Sequence, residues 1–494
     1  MASSPYPELC SRLQHLAMVS SVEAVLGWDQ ETHLPAAATA HRAAQLSWLA
    51  GHVHALATDS DLKRLVQRAS KGANAVQQAN LRVIEREMKR QSALPASLIE
   101  EESRAVSLAK ASWQRARAKD DFPAFAPHLE ALVGFARRKA ELWGYPNEPY
   151  DALLEGYEPG MTCAQLDNCF GPLQPRLIAL AAKAVERCSQ APRVARPTAV
   201  YPVALQKQLN AEIAASLGFD FAAGRIDTTA HPFCTTLGPR DIRLTTRYDE
   251  RDFTSSLFGV LHEAGHGLYE QGLPAKHFGL PSGRACSLSV HESQSRLWEN
   301  HVGRSEVFWQ RWYPRAQELF PALRRLALER FVQSLRRVSY SPIRVEADEA
   351  TYDLHILLRV ELERRLLRGE LAVRQVPAAW AELSRQWLGF APKNDSEGCL
   401  QDIHWSMGGI GYFATYTLGN LHAAQLFKAA MSEGSIASAF RRAEFAPLLQ
   451  WLRTRVHRKG ALKTPSALVA SASGGGISPE PYLQHLRKRY LGGR

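Results

Sequence analysis

Apolar residues recur every three or four positions through the first two hundred residues. Leu9, Leu13, Leu16, Val19, Val22 and Leu26 form one such series, and Leu46, Leu49, Val53 and Leu56 form another. This is the spacing of amphipathic helices. Pro, Gly and Asn gather at 144–149, and Pro and Gly again at 158–160, which predicts turns between helices. The pattern changes from Thr228 to Tyr248, a Thr-rich stretch with a Gly-Pro pair in its middle. There Asp241, Arg243 and Thr245 alternate with Ile242 and Leu244, the period-two signature of a strand. Helical spacing resumes after Arg251 and holds almost to the end, where Ser471–Pro479 predicts a short flexible loop. No internal repeat is present. The predicted fold class is mostly α, a large helical body with one small β-sheet near its middle.

Composition narrows the class. The chain has 494 residues and 45% hydrophobic residues against 22% charged, which excludes wholesale disorder and permits a large core without staples. No stretch reaches 18 consecutive apolar residues, so no membrane span is expected. Met1–Cys10 lacks the basic and apolar regions of a signal peptide. Seven scattered cysteines (Cys10, Cys163, Cys169, Cys188, Cys234, Cys286 and Cys399) include no CxxC pair and read as free thiols of a reducing cytoplasm. The net charge of +11 is concentrated: residues 441–494 carry eleven Lys/Arg against two acids, Glu444 and Glu480. No aromatic interleaving marks a base-stacking platform there, so the segment reads as a solvated helical surface rather than a nucleic-acid patch.

One motif carries chemistry. His262-Glu263-Ala264-Gly265-His266 is H-E-x-x-H within an apolar stripe of Phe253, Leu257, Val260, Leu261, Ala264 and Leu268. On a helix, residues four apart lie one above the other, so the two imidazoles meet at one point. Such a pair suits a tetrahedral zinc, with Glu263 beside the open position to take a proton from water. Asp252 or Thr254 would cap this helix, and Gly272 with Pro274 would end it. Position 272 is Gly, which excludes the metzincin pattern, and Glu270 lies too far along the same helix to close a tetrahedron. A third ligand from a second helix is therefore predicted. The segment Leu288–Glu299 offers Glu292 and Glu299, and spacing places Glu292 only slightly ahead. Gly265 and Gly267 each cost about 1 kcal/mol inside a helix, which makes sense if another element packs closely there.

These residues, taken with six ordered motifs, resemble the M32 metallocarboxypeptidases, the Taq carboxypeptidase family. The motifs are His231-Pro-Phe233, Asp241-Ile-Arg243-Leu-Thr245, His262-Glu263-Ala-Gly-His266, His291-Glu292-Ser-Gln294, Ile343-Arg344-Val-Glu-Ala-Asp348 and Gly398-Cys-Leu-Gln-Asp402-Ile-His404-Trp405. Trp28–Thr32 and the run from Tyr150 to Met161 also look like the family. Leu34-Pro-Ala-Ala-Ala departs from the M-P-x-G-G that members more often carry, in a loop without chemistry. The resemblance implies Glu292 as third ligand beside His262 and His266, holding one divalent metal per chain, Zn2+ with Co2+ or Mn2+ as alternatives. It implies a single peptidase domain over 1–494, mostly helical with a deep cleft, related to the neurolysin and angiotensin-converting-enzyme group. Within it a helical lid or dimer region spans roughly 1–200, a catalytic region 201–430 and a basic helical segment 431–494. It further implies a homodimer that releases one residue at a time from peptide C-termini with broad specificity.

An exopeptidase of this kind must bind a free α-carboxylate, which calls for a fixed arginine. Arg344 is the first candidate and Arg243 the second, and an ion pair of Arg344 with Glu346 or Asp348 is the structural alternative. Asp241 is expected to orient His262 or His266, since metal-bound histidines usually donate their second nitrogen to a carboxylate. His404 and Tyr416, flanking Gly408-Gly-Ile-Gly411, are expected to stabilise the oxyanion, with Tyr412 as competitor; His231 is expected to contact the substrate backbone. Glu263 then serves as general base and returns the proton to the leaving amine. A metal-dependent oligopeptidase or dipeptidase using the same site is the alternative activity.

Overall fold

The structure, a computed structural model, describes residues 5–229 and 232–492. Helices dominate, as the spacing predicts, and the one sheet among the described residues includes the alternating stretch as its last strand, while its first strand, Gly224–Thr228, begins ahead of the predicted region. The described chain forms two compact units, each discontinuous. The first takes residues up to 91 with 194–332 and 425–476; the second takes 92–193, 333–424 and 477 onward. The chain thus passes between units five times. Spatial neighbours here are assembled from distant segments rather than from one continuous stretch.

In the first unit the sheet has three strands, β1 (Gly224–Thr228), β2 (Cys234–Gly238) and β3 (Asp241–Thr246). β3 is central, parallel to β1 and antiparallel to β2, with an irregularity between Thr236 and Gly238. Ile242 and Leu244 are buried on one face, as the alternation requires, and Leu244 packs against the helix Phe253–Glu270 at Gly267. That helix begins at Asp252, whose carboxylate accepts from Thr254 N at 3.0 Å and pairs with Arg196. Phe253, Trp309, Phe320 and Phe331 form an aromatic cluster around its first turn. Ser287 caps a second helix, Leu288–Arg296, which runs on into a π-helical turn, Leu297–Gly303.

These two helices meet backbone to backbone. A Cβ on Gly265 would lie 2.6 Å from Gln294 O and from Ser295 Cα, so only glycine fits. The segment 425–476 completes this unit: His457 Nε2 meets Gln294 Oε1 at 3.0 Å, and Ala461 N donates to Pro281 O at 2.9 Å. The N-terminal helix Pro5–Thr32 buries Leu9 and Leu13 against Leu62, Leu65 and Leu81, yet leaves Met18, Val22 and Val25 exposed, so its apolar stripe is only partly covered. Ser471–Ser473 finish the helix Pro465–Ser473, and the predicted loop starts only at Gly474, in the left-handed region at φ +83°.

The second unit is organised around Tyr352–Arg368, a helix buried on nearly every side. Leu354, Leu358 and Leu362 join Tyr150, Leu154, Leu173 and Leu421 in its core. Within this apolar shell the helix carries His355, Arg359 and Glu363 at four-residue intervals, a buried polar stripe. The end of the chain docks here too. Glu349 accepts from Arg489 at 2.7 Å, and Asp353 receives Tyr482, Thr417 and Asn420. Arg489 is therefore a half-buried ion-pair partner, an exception to the solvated surface expected of the basic segment.

Candidate metal centre

His262 and His266 point from one helix toward Glu292 on the next. Glu292 Oε2 lies 3.7 Å from His262 Nε2 and 3.5 Å from His266 Nε2, and one ligand atom from each residue falls within 4.8 Å of the others. Donors about 2.0–2.1 Å from a tetrahedral ion sit about 3.3–3.4 Å apart, so the spacing fits a divalent metal. Charge balance agrees. Glu263, Glu292 and Glu299 are three carboxylates in this buried region, faced by only two arginines, Arg296 and Arg304. The excess of carboxylates favours a bound cation.

Each ligand is held from behind. Glu299, on the π-helical turn, meets His262 Nδ1 at 3.0 Å and is itself held by Arg304 at 3.2 Å. Arg296 Nε donates to Glu292 Oε1 at 2.7 Å, leaving Oε2 for the metal side. His266 is stacked on His291 with ring centroids 4.4 Å apart, and His291 Nε2 meets Glu270 Oε1 at 2.9 Å. Glu270 also accepts from Thr236 of β2, at 2.8 Å, which ties the sheet edge to the metal helix. Burial, reinforced by the nearby carboxylates, pushes the Glu263 carboxyl up to about 7. Burial also holds His266 down, to about 3, in the neutral state a ligand needs. His262 goes the other way: burial opposes its charge, but Glu292 and Glu299 outweigh that and raise it to about 9.

The Asp241 expectation is corrected by this arrangement. Its two oxygens accept from Arg243 Nε and Nη2 at 2.9 and 3.0 Å, while the carboxylate on His262 belongs to Glu299. Two residues apart on one strand face, Asp241 and Arg243 satisfy each other. Arg243 is further occupied by Trp28, over whose ring its guanidinium lies at 4.2 Å. His231 lies outside the described residues. The spacing Glu292–Arg296, four along a helix, was the readable sign of the arginine that positions the ligand; the Glu270–His291 pair left none.

The second unit holds the other candidates. Arg344 is buried, and its Nε and Nη2 donate to Asp402 Oδ1 at 3.0 and 2.8 Å while Nη1 donates to Tyr352. The partner is thus Asp402, not Glu346 or Asp348; Asp348 instead caps the turn at Ala350 and Thr351. Asp402 Oδ2 accepts from Arg359 Nε at 2.6 Å, so one carboxylate serves two buried arginines, and Arg359 Nη2 has no partner among the described residues. His404 Nε2 and Tyr416 Oη are 3.2 Å apart, and Tyr412 packs on both rings. Burial holds His404 down to about 4, so it is a neutral hydrogen-bonding group at neutral pH.

A buried H-E-x-x-H helix completed by a glutamate from a second helix is the arrangement of a metal-dependent peptidase. The sequence profile of the carboxypeptidase Taq (M32) metallopeptidases matches residues 8–490. Thermostable carboxypeptidase 1 of Thermus thermophilus is 43% identical, with 98% of each chain covered, and carboxypeptidase 1 of Bacillus subtilis is 35% identical, covering 98% of this chain and 97% of that one. The crystal structure of an M32 carboxypeptidase from Deinococcus radiodurans superposes with a TM-score of 0.95 at 39% identity, covering 99% of both chains. The chain belongs to this family and is a metallocarboxypeptidase.

Proposed function

We propose that the protein is a zinc carboxypeptidase that removes single amino acids, with broad specificity, from peptides with a free C-terminus. The observation that carries this reading is the His262/His266/Glu292 triangle with Glu263 beside it. A divalent cation held there supplies Lewis acidity and makes water nucleophilic near neutral pH. Glu263 takes the proton from the attacking water and gives it to the departing nitrogen; its carboxyl, raised by burial, is matched to both transfers. Arg296 and Glu299 keep Glu292 and His262 in place. His404 and Tyr416 are the proposed oxyanion donors, with Tyr412 packed against them. Arg344 is the proposed partner of the terminal carboxylate. Its support is electrostatic: two buried arginines share the single charge of Asp402, and a substrate carboxylate would complete the balance.

The test combines metal analysis with mass spectrometry of a digest of one peptide, free and amidated at its C-terminus. Zinc at one per chain and stepwise loss of single residues from the free form alone is the expected result. Equal cleavage of the amidated peptide would hand the activity to the oligopeptidase alternative. We propose the cytoplasm as its compartment, supported by seven free cysteines, and a homodimer, supported by the exposed Met18, Val22 and Trp48. Light scattering of the purified protein tests the latter.

A further inference from the structure

A cavity of about 660 Å³ opens in the first unit where the β2–β3 turn meets the end of the His262 helix. Four cationic side chains line it: Arg240, Lys276, Arg453 and Arg458. Two acids also line it, and both are engaged. Glu270 is bonded to His291 and Thr236, and Asp220 accepts from Arg240 Nη2 at 3.3 Å and from the Ala222 amide. Lys276, Arg453 and Arg458 have no carboxylate within ion-pair distance among the described residues. Nor are they consumed by the helix end, whose last carbonyls accept from the amides of Gln271, Gly272 and Leu273. The cavity therefore carries surplus positive charge.

Two further observations mark it as a binding place rather than a solvated face. Arg453 Nε and His277 Nδ1, both on lining residues, are buried without a hydrogen-bond partner among the described residues, so polar capacity there is open to a ligand or an ordered water. Arg240, at the tip of the β2–β3 turn, holds a left-handed backbone at φ +66°, an unfavourable conformation for a residue with a side chain. Strain of this kind is characteristic of ligand clamps. Arg453 and Arg458 also face each other: burial and then the Arg458 charge lower the Arg453 pKa, a repulsion that a bound anion would relieve.

We propose that this cavity binds a small, multiply charged oxyanion of the phosphate class, held by the guanidinium forks of Arg453 and Arg458 with Lys276 and Arg240 at its rim. The planar donors of arginine match the oxygens of phosphate two at a time.

Binding of inorganic phosphate to the metal-loaded protein is to be measured by equilibrium dialysis at about 50 mM salt, where screening is moderate. Saturable binding with Kd below about 1 mM is expected, and Arg453→Gln and Arg458→Gln should each weaken it about 10-fold or more. Arg458 is exposed, so that variant tests the site without a folding risk. Arg442→Gln, at an exposed arginine paired with Glu444, should bind as wild type. Glu292→Ala should also retain binding, which separates this cavity from the metal centre. Succinate should bind more weakly than phosphate; the reverse order overturns the phosphate assignment. No saturation below about 10 mM, or wild-type affinity in the Arg453→Gln/Arg458→Gln double variant, overturns the site itself.

Discussion

The metal centre of the first unit and the Arg344 cluster of the second are both buried groups of charges, and they are incomplete in opposite senses. Around His262 three carboxylates face two arginines; around Asp402 two arginines share one carboxylate. One cluster is short of a cation and the other of an anion. Isolated buried charge is costly, and the proposed function assigns each deficit a partner: a divalent metal for the first and the carboxylate end of a peptide for the second. The two also differ in construction. The metal ligands sit on two consecutive α-helices joined by residues 271–287, whereas Arg344, Arg359 and Asp402 come from three separate stretches of the second unit.

Breaking the chemistry of the first cluster without its charge balance gives the largest effect. Glu263→Gln should keep the metal and lower kcat by about 10²–10⁴-fold, since the amide cannot accept the proton; metal content and turnover measured on one sample decide it. The corresponding break in the second cluster is Asp402→Asn. It leaves two buried arginines without a counter-charge and should reduce unfolding free energy by about 3–5 kcal/mol in denaturant titration. If stability is unchanged, the charge argument for that cluster fails.

The comparison is sharpened by removing one cation at a time. Arg344→Ala should abolish discrimination between free and amidated peptides, a loss of about 2–4 kcal/mol or roughly 30- to 1000-fold in kcat/KM. A variant that still prefers the free carboxylate by the wild-type margin places the clamp elsewhere. Glu363, on the same helix as Arg359, reports on the dielectric of the second unit. Burial pushes its carboxyl up to about 7 although Trp405, Gly411 and Tyr150 donate to it. Between the ordinary carboxyl range and pH 7 the folded state keeps a proton that the unfolded chain has lost, so this group lowers stability as pH rises. Glu363→Gln sets its amide NH2 against the N–H of Trp405 or Gly411 and so carries a cost at every pH, but it should flatten the fall of stability with rising pH between about pH 5 and 8. A pH-independent change would refute the shift. Smallest is the effect of removing a support, rather than a ligand, within the metal centre. Glu299→Ala, which removes the partner of His262, should weaken metal affinity about 10- to 100-fold, while Glu292→Ala should lose the metal altogether. Equal retention in the two variants would contradict the ligand assignment.

What the sequence disclosed follows the range of the interactions. The helices, strand β3 and the His262/His266 pair depend on neighbours three, four or two residues away, and periodicity reads those directly. The close approach at Gly265 was legible because glycine in a helix is otherwise costly. The choice of Glu292 over Glu299 was decided by family resemblance, because both lie on the same helical segment. The structure makes Glu299 the support of His262 through a π-helical turn, a local widening that hydrophobic spacing does not encode. Asp241 was misassigned for a related reason: its attraction to Arg243, two residues away, outcompetes any longer reach. Asp402 as the partner of Arg344 had no local signal at all, since 58 residues separate them.

The order of synthesis gives the discontinuity of the first unit a temporal meaning. His262, His266 and Glu292 have all been made once residue 292 is joined, but residues 333–424 belong to the other unit and must be made before 425–476 can close the first. Until then Gln294, next to the ligand helix contact, lacks His457, and Pro281 lacks Ala461. A nascent or prematurely terminated chain thus carries the complete set of metal-binding residues without the wall that fixes their helix. Because binding at a site that is not preformed must do the work of ordering it, a ribosome-bound chain should hold its metal only loosely. Metal-site completion is in that sense scheduled, arriving with residues 425–476 rather than with the motif that supplies the ligands.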